Sequence, residues 1–218
     1  MHIDILVEDE SGKILISTII DKIIDASNNT YKIHSYKGIG KLPKKGEIRD
    51  FAKIQNRCLL ANINRLLNGI GERNHKSNIT GSVVTIFDND KANCTEMKKD
   101  LVESAKMLSY SPNVAFCIAI EEIEAWLLGD FDAIKAAYPK AKDSLYQQYK
   151  QDSICDTWEH LGRIIDEKQM RQLGKSDHYW AGELKCTWCR EIGAHMNIDR
   201  NRSPSFKYFV RKLREKAN

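Results

Sequence analysis

The chain opens on a nearly continuous apolar run, Ile3 to Val7, which stops abruptly at Glu8-Asp9-Glu10-Ser11-Gly12. A short unbroken run of this kind suits a strand buried on both faces, as in a parallel sheet. Residues Lys13 to Ala26 then place Ile14, Leu15, Ile19, Ile20, Ile23 and Ile24 on one wide stripe, which predicts a helix. Thr30 to Tyr36 alternates as a second strand, and Glu47 to Asn68 reads as a long amphipathic helix ending near Gly69. A β-branched third strand, Ser82 to Phe87, is closed by Asp88-Asn89-Asp90. A helix from about Thr95 to Leu108 is stopped by Ser109-Tyr110-Ser111-Pro112. The fourth strand, Asn113 to Ile120, runs straight into the helical text Glu121-Glu122-Ile123-Glu124-Ala125-Trp126-Leu127-Leu128.

This alternation predicts an α/β fold with right-handed crossovers and a mainly parallel sheet flanked by helices. The core is expected to span residues 1–130. From Asp130 onward β-branched runs vanish, and Trp158, Leu161, Ile164 and Ile165 form one modest apolar face. Residues 131–218 are therefore expected to form a C-terminal helical extension packed on the core.

Composition narrows the class without naming a function. With 42% hydrophobic and 29% charged residues in 218, the chain belongs with folded globular proteins. Its longest apolar runs, such as Val83 to Phe87 and Val114 to Ile120, fall far short of the roughly 20 residues of a membrane span. The N-terminus lacks the basic and apolar blocks of a signal peptide, so a cytoplasmic location is expected. Six scattered cysteines argue for reduced thiols. Cys186-Thr187-Trp188-Cys189 has zinc-knuckle spacing, with Cys155 and His160 upstream, but no second short-spaced pair completes a tetrahedral set. A helix face carrying two thiols is the simpler reading.

A formal charge of +4 is mild, but its distribution is uneven. The stretch from Tyr36 to Gly46 is a basic, glycine-bearing loop containing Lys37, Lys41, Lys44 and Lys45, and the chain is again basic from Arg200, with Arg202 beside a Ser-Pro-Ser turn. Either cluster suits phosphate contacts; either also suits a solvated surface. Ser203-Pro204-Ser205-Phe206 reads as a helix start, with Ser203 as cap and Phe206 packing inward.

The carboxylates carry the chemistry. In open parallel sheets the functional crevice lies beyond the carboxyl ends of the strands. Glu8 follows the first strand, Asp88 and Asp90 the third, and Glu121, Glu122 and Glu124 the fourth, so three turns present acids at one rim. Magnesium takes a few carboxylate oxygens, keeps several waters and leaves room for a substrate phosphate. Phosphodiester hydrolysis fits such a site. A single acidic turn capping a helix would mean little; acids converging from separate strand ends mean more.

A glutamate ending strand one and an Asp-x-Asp ending strand three resemble the Toprim domain of primases, type IA and type II topoisomerases, and OLD-family nucleases, over about residues 1–130. Val7-Glu8-Asp9-Glu10-Ser11, Glu122-Ile123-Glu124-Ala125-Trp126-Leu127-Leu128 and Ser203-Pro204-Ser205-Phe206 look like the Toprim-like family catalogued as domain of unknown function 4276, over almost the whole chain. The resemblance implies a Rossmann-like Toprim fold, Glu8 as catalytic glutamate and metal ligand, and Asp88 and Asp90 holding Mg2+, with Mn2+ as a substitute. Glu122 and Glu124 are the next candidate ligands if the chain is still extended there, since they would then share a side; otherwise they solvate a helix. Relatives commonly carry a glycine after the first glutamate and another acid four positions beyond it, places held here by Asp9 and Gly12.

By the same resemblance Lys185 is the candidate lysine that stabilises charge developing on the phosphate, against the reading of one more surface lysine. The implied function is a nuclease acting on DNA or RNA, as effector of an antiviral defence module. Its ABC/AAA-type ATPase would have to be a partner protein, because the chain has no Gly-x-x-x-x-Gly-Lys-Ser/Thr loop. The alternative is a non-catalytic Toprim-fold partner or regulator of such an ATPase.

Overall fold

Among the described residues, four strands pair in parallel in the order β2-β1-β3-β4: β1 (His2–Val7), β2 (Thr30–Ser35), β3 (Gly81–Asn89) and β4 (Asn113–Ile120). The computed structural model describes residues 1–38, 40–48, 58–89, 94–120, 122–153, 156–173 and 178–218. The α/β architecture and parallel sheet follow the strand and helix alternation of the sequence, and the helices after residue 130 complete it.

Alternation along the strands builds a core on each face. Ile3, Ile5 and Val7 of β1, with Val84, Ile86, Ala115 and Cys117, face one side, where α1 (Glu10–Ile19) packs. Leu6, Val83, Phe87, Phe116 and Ile118 face the other, against α2 (Ile63–Lys76) and α3 (Cys94–Lys106).

After β4 come α4 (Glu124–Leu128), α5 (Phe131–Ala137), α6 (Asp143–Tyr146), α7 (Thr157–Gln172), α8 (His178–His195) and α9 (Pro204–Ala217). Trp188, Cys189 and Ile192 of α8 and Phe206, Phe209 and Leu213 of α9 belong to the same buried cluster as α1 and β1. The approach of α8 to α1 is close: a Cβ on Gly193 would sit 3.1 Å from Leu15. Lys22 donates to the carbonyls of Gly193, Ala194 and Met196, satisfying oxygens left open at the end of α8. At the other end, Trp126 of α4 stacks on Phe209 at 5.0 Å and donates its indole N–H to Ser205. Ser203 caps α9 and Phe206 is fully buried, as the sequence indicates.

Helix boundaries differ from expectation. The first helix begins at Glu10 and yields to a 3-10 turn at Ile20–Lys22. The helix expected from Glu47 to Asn68 instead starts at Ile63, after a 3-10 turn at Leu60–Asn62, and continues through Gly69 and Gly71 to Lys76; residues 49–57 lie outside the described residues. Gly71 serves close approach: a Cβ there would lie 2.0 Å from the Tyr110 carbonyl oxygen.

Candidate metal centre

Strand order reverses direction between β1 and β3, the position where an open α/β sheet leaves a crevice beyond the strand ends. Glu8 leaves β1 there, and Asp88 is the penultimate residue of β3. The Asp88 backbone N–H donates to Glu8 Oε2 at 3.0 Å, tying the two strand ends together. A rim of Asp88 stays open to solvent, but protein crowds its carboxyl. That desolvation, with Glu8, Glu124 and Asp9 nearby, pushes it well above the usual carboxylate range, against the pull of Lys185.

The chain has turned into a helical conformation by Ile123, so the extended geometry that would align Glu122 with Glu124 is absent. They converge nonetheless, on a cation. Lys185 of α8 places Nζ 3.0 Å from Glu122 Oε1 and 3.3 Å from Glu124 Oε2. Glu124 is fully buried, and beyond the Lys185 ion pair its oxygens have no side-chain hydrogen-bond partner among the described residues. Desolvation pushes its carboxyl up to about 7, opposed by Lys185 and reinforced by Glu122 and Asp9. Desolvation alone would lower Lys185; Glu124, Glu122 and Asp88 outweigh it and hold the ammonium charged.

Glu122 is engaged on both oxygens. Its Oε2 accepts from the Thr157 hydroxyl at 3.0 Å and from the Trp158 backbone N–H at 3.1 Å, the first turn of α7. Asp156, the residue preceding that helix, makes no side-chain cap, so Glu122 caps α7 from outside. Thr157 and the Trp158 amide were invisible to sequence reasoning. Asp156-Thr157-Trp158-Glu159 has the form of a helix start, but nothing local says the helix lands beside β4. Glu159 joins the same field: burial pushes its carboxyl up, with Asp156 and Glu122 adding to the effect.

Asp9 is spent on structure. Its Oδ1 accepts from the Gly12 N–H at 2.8 Å, capping α1, and its Oδ2 accepts from the Ser11 hydroxyl at 2.8 Å. A Cβ at Gly12 would lie 3.2 Å from Asp9 Oδ1 and 3.3 Å from Ile123, so there is little room for an acid at position 12. Glu10 accepts from Ser35 and pairs with Lys13. The places that depart from the Toprim pattern thus offer no free second carboxylate.

Among the described residues, no three His, Cys, Asp or Glu side chains are grouped to hold a metal ion. Asp90 and Glu121 lie outside the described residues. Magnesium is commonly bound through only one or two carboxylates plus waters. The buried carboxylate of Glu124, close enough to Asp88 to raise it, offers oxygens of the type it takes.

The basic loop starts against the same rim, since the Tyr36 N–H donates to the Val7 carbonyl and the Gly38 N–H to that of Glu8. Lys37, Lys41 and Lys44 are exposed. Lys45 is committed to α3, 2.6 Å from Glu103 and 3.3 Å from Asp100. Arg202 is exposed beyond α4, where its N–H donates to the Gly129 carbonyl. Cys186 and Cys189 sit on α8, Cys189 fully buried with its thiol pushed up by desolvation; Cys155 lies outside the described residues.

Comparison with curated proteins gives no match, and comparison with solved structures gives none. A family model described as "Domain of unknown function (DUF4276)" matches residues 7–214, from the end of β1 to the last turns of α9, and the chain belongs to that family.

Proposed function

We propose that this chain is a magnesium-dependent phosphodiesterase of Toprim type that hydrolyses DNA or RNA. One observation carries the reading: the fully buried Glu124 carboxylate, met by Lys185 at 3.3 Å, shares the field of Asp88, whose carboxyl Glu8 and Glu124 both raise at the strand-end crevice. Glu122, Glu124 and Asp88 share the single charge of Lys185, an excess of buried negative charge that a divalent cation would balance, and such groups collect at functional sites. Asp88 and Glu124 would hold the ion together with waters, with Glu8 and Asp90 as the further candidates. Bound there, magnesium supplies polarisation of a phosphoryl oxygen and a water of lowered pKa.

The chain's own residues do the rest. Lys185 is a fixed positive charge at the crevice, held by Glu122 and Glu124, and would stabilise negative charge developing on the phosphate. Glu122 is a positioning residue in this scheme rather than a metal ligand, because Lys185, Thr157 and Trp158 occupy its oxygens. Lys37 and Lys41, on the loop strapped to Glu8, would meet flanking phosphates, which is worth affinity that falls with salt. The family likeness adds an ABC/AAA-type ATPase as partner in a defence module.

The experiment is cleavage of plasmid DNA and labelled RNA in Mg2+ or Mn2+, with and without the partner ATPase. Wild type should cut, and Asp88→Ala and Glu124→Gln should each lower the rate by about a hundredfold or more. Absence of cutting by wild type under every condition would remove the nuclease reading. A second reading has one observation in its favour: Lys185 already neutralises the carboxylates without any metal. A non-catalytic regulator of the ATPase would then co-purify with it equally well after Asp88→Ala and Glu124→Gln, and magnesium would leave its melting temperature unchanged.

A further inference from the structure

A concavity opens at the free edge of the sheet, lined by none of Glu8, Asp88, Glu122 and Glu124. It has a volume of roughly 630 Å³ and is bounded by α3, the edge strand β4 and the start of α9. That size lies within the range of small-ligand sites. Its floor is apolar, made by Phe116, Ile118 and Ile120 of β4. The polar lining includes Asp152, whose oxygens are taken by the Ser203 hydroxyl and the Ser205 N–H, and two further features that face a ligand.

The first is a cation over an aromatic ring. Lys98 donates to the Tyr208 hydroxyl and its Nζ stands 3.9 Å from the ring centroid. Among the described residues Lys98 has no carboxylate partner, whereas Arg211 and Lys212, which also approach the Tyr208 ring, share Glu215. The second is an acceptor. Gln151 donates Nε2 to the Leu128 carbonyl at 3.1 Å, which fixes the amide orientation and leaves Oε1 buried with no partner among the described residues. A buried unsatisfied amide oxygen is a place for a ligand N–H.

We propose that this pocket binds a nucleotide: a planar base on the β4 floor, a base N–H donated to Gln151 Oε1, and a phosphate paired with Lys98. An apolar slot alone would take any greasy ligand. The combination of a fixed acceptor, an ammonium with no carboxylate partner among the described residues, and an apolar floor of Phe116, Ile118 and Ile120 selects a base joined to an anion. The source is either a free nucleotide or an unpaired nucleotide of a single strand. The site uses none of the rim carboxylates and stands whether or not the chain cleaves nucleic acid.

The test is calorimetric titration of the full chain in EDTA, so that no cleavage intervenes, with AMP, adenosine and a 5′-phosphorylated single-stranded oligothymidylate. Saturable one-to-one binding is expected, with Lys98→Ala weakening AMP about fivefold or more while leaving adenosine within about twofold. Ile120→Trp fills the slot and should abolish binding of all three; melting curves confirm that it is folded. AMP should also protect Cys94, at the pocket wall, from alkylation while leaving Cys58 unprotected. An oligothymidylate about tenfold tighter than AMP identifies a strand as the source, and equal or weaker binding identifies a free nucleotide. No saturable binding up to about 10 mM, or binding that Lys98→Ala and Ile120→Trp both leave unchanged, overturns the proposal.

Discussion

Lys185 and Glu124 pair at 3.3 Å, with Glu124 fully buried. Removing one partner of such a pair leaves an uncompensated buried charge, which costs about 3–5 kcal/mol. Lys185→Met should therefore lower the unfolding free energy by about 3 kcal/mol in urea titrations, and adding Glu124→Gln should recover much of that loss. Full additivity of the two substitutions would show that the pair is not coupled.

The same carboxyl makes stability depend on pH. Glu124 is raised from an ordinary value near 4.5 to about 7 in the folded chain. Between these values the folded state binds more protons than the unfolded, so stability falls as pH rises through the window, by about 3 kcal/mol for a group offset by two units or more. Asp88 shifts in the same direction. In EDTA the wild type should be more stable at pH 5 than at pH 8, Glu124→Gln should flatten much of that slope, and magnesium at pH 8 should restore stability. A slope that survives Glu124→Gln intact assigns it to other groups. Glu8 and Asp88 were legible because a strand end announces itself as an apolar run cut by an acid. Lys185 entered only through a family likeness, and Thr157 and Glu159 not at all, because their place beside β4 depends on how α7 docks.

At the scale of elements, α2 separates what a glycine says locally from what it does in three dimensions. Gly69 reads as a helix stop, yet α2 runs on for seven more residues, through Gly71 to Lys76. The two glycines differ only in what lies opposite. Nothing is within 4 Å of a Cβ at Gly69, whereas at Gly71 the Tyr110 carbonyl oxygen is 2.0 Å away. Gly69→Ala should raise stability by about 0.5–1 kcal/mol through helix propensity alone. Gly71→Ala should lower it by about 2 kcal/mol or more, because backbone must move to admit the methyl group. Equal effects on the melting temperature would mean that α2 does not approach Tyr110 this closely. Strands were read well here because their apolar runs are short and sharply bounded. Helix ends were read less well because a glycine signals a stop and a contact with the same letter.

For the whole molecule, the change of texture at Asp130 marks where strands cease, while the principal hydrophobic cluster runs from Ile3 to Leu213. Every βαβ step is complete by residue 130, which makes a fragment ending there look sufficient on paper. Physically it is not. The face carrying Ile3, Ile5, Val84 and Ile86 shares its cover between α1 and the C-terminal helices, and Trp126 is buried against Phe206 and Phe209 of α9. Large aromatic side chains each contribute on the order of 2–3 kcal/mol by burial, against a net stability of about 5–15 kcal/mol for an entire domain. Losing the partners of Trp126, together with Trp188 and Ile192 of α8, is enough to unfold the remainder. A fragment of residues 1–130 should consequently bind a hydrophobic dye, lack a cooperative urea transition and keep the Trp126 emission of a solvent-exposed indole. Supplying residues 131–218 as a separate chain should restore a cooperative transition, since the missing contacts are packing contacts between surfaces rather than local turns. A fragment of residues 1–130 that melts cooperatively on its own would show that the C-terminal helices only decorate the sheet. It would also free Lys185 from any part in holding the crevice together.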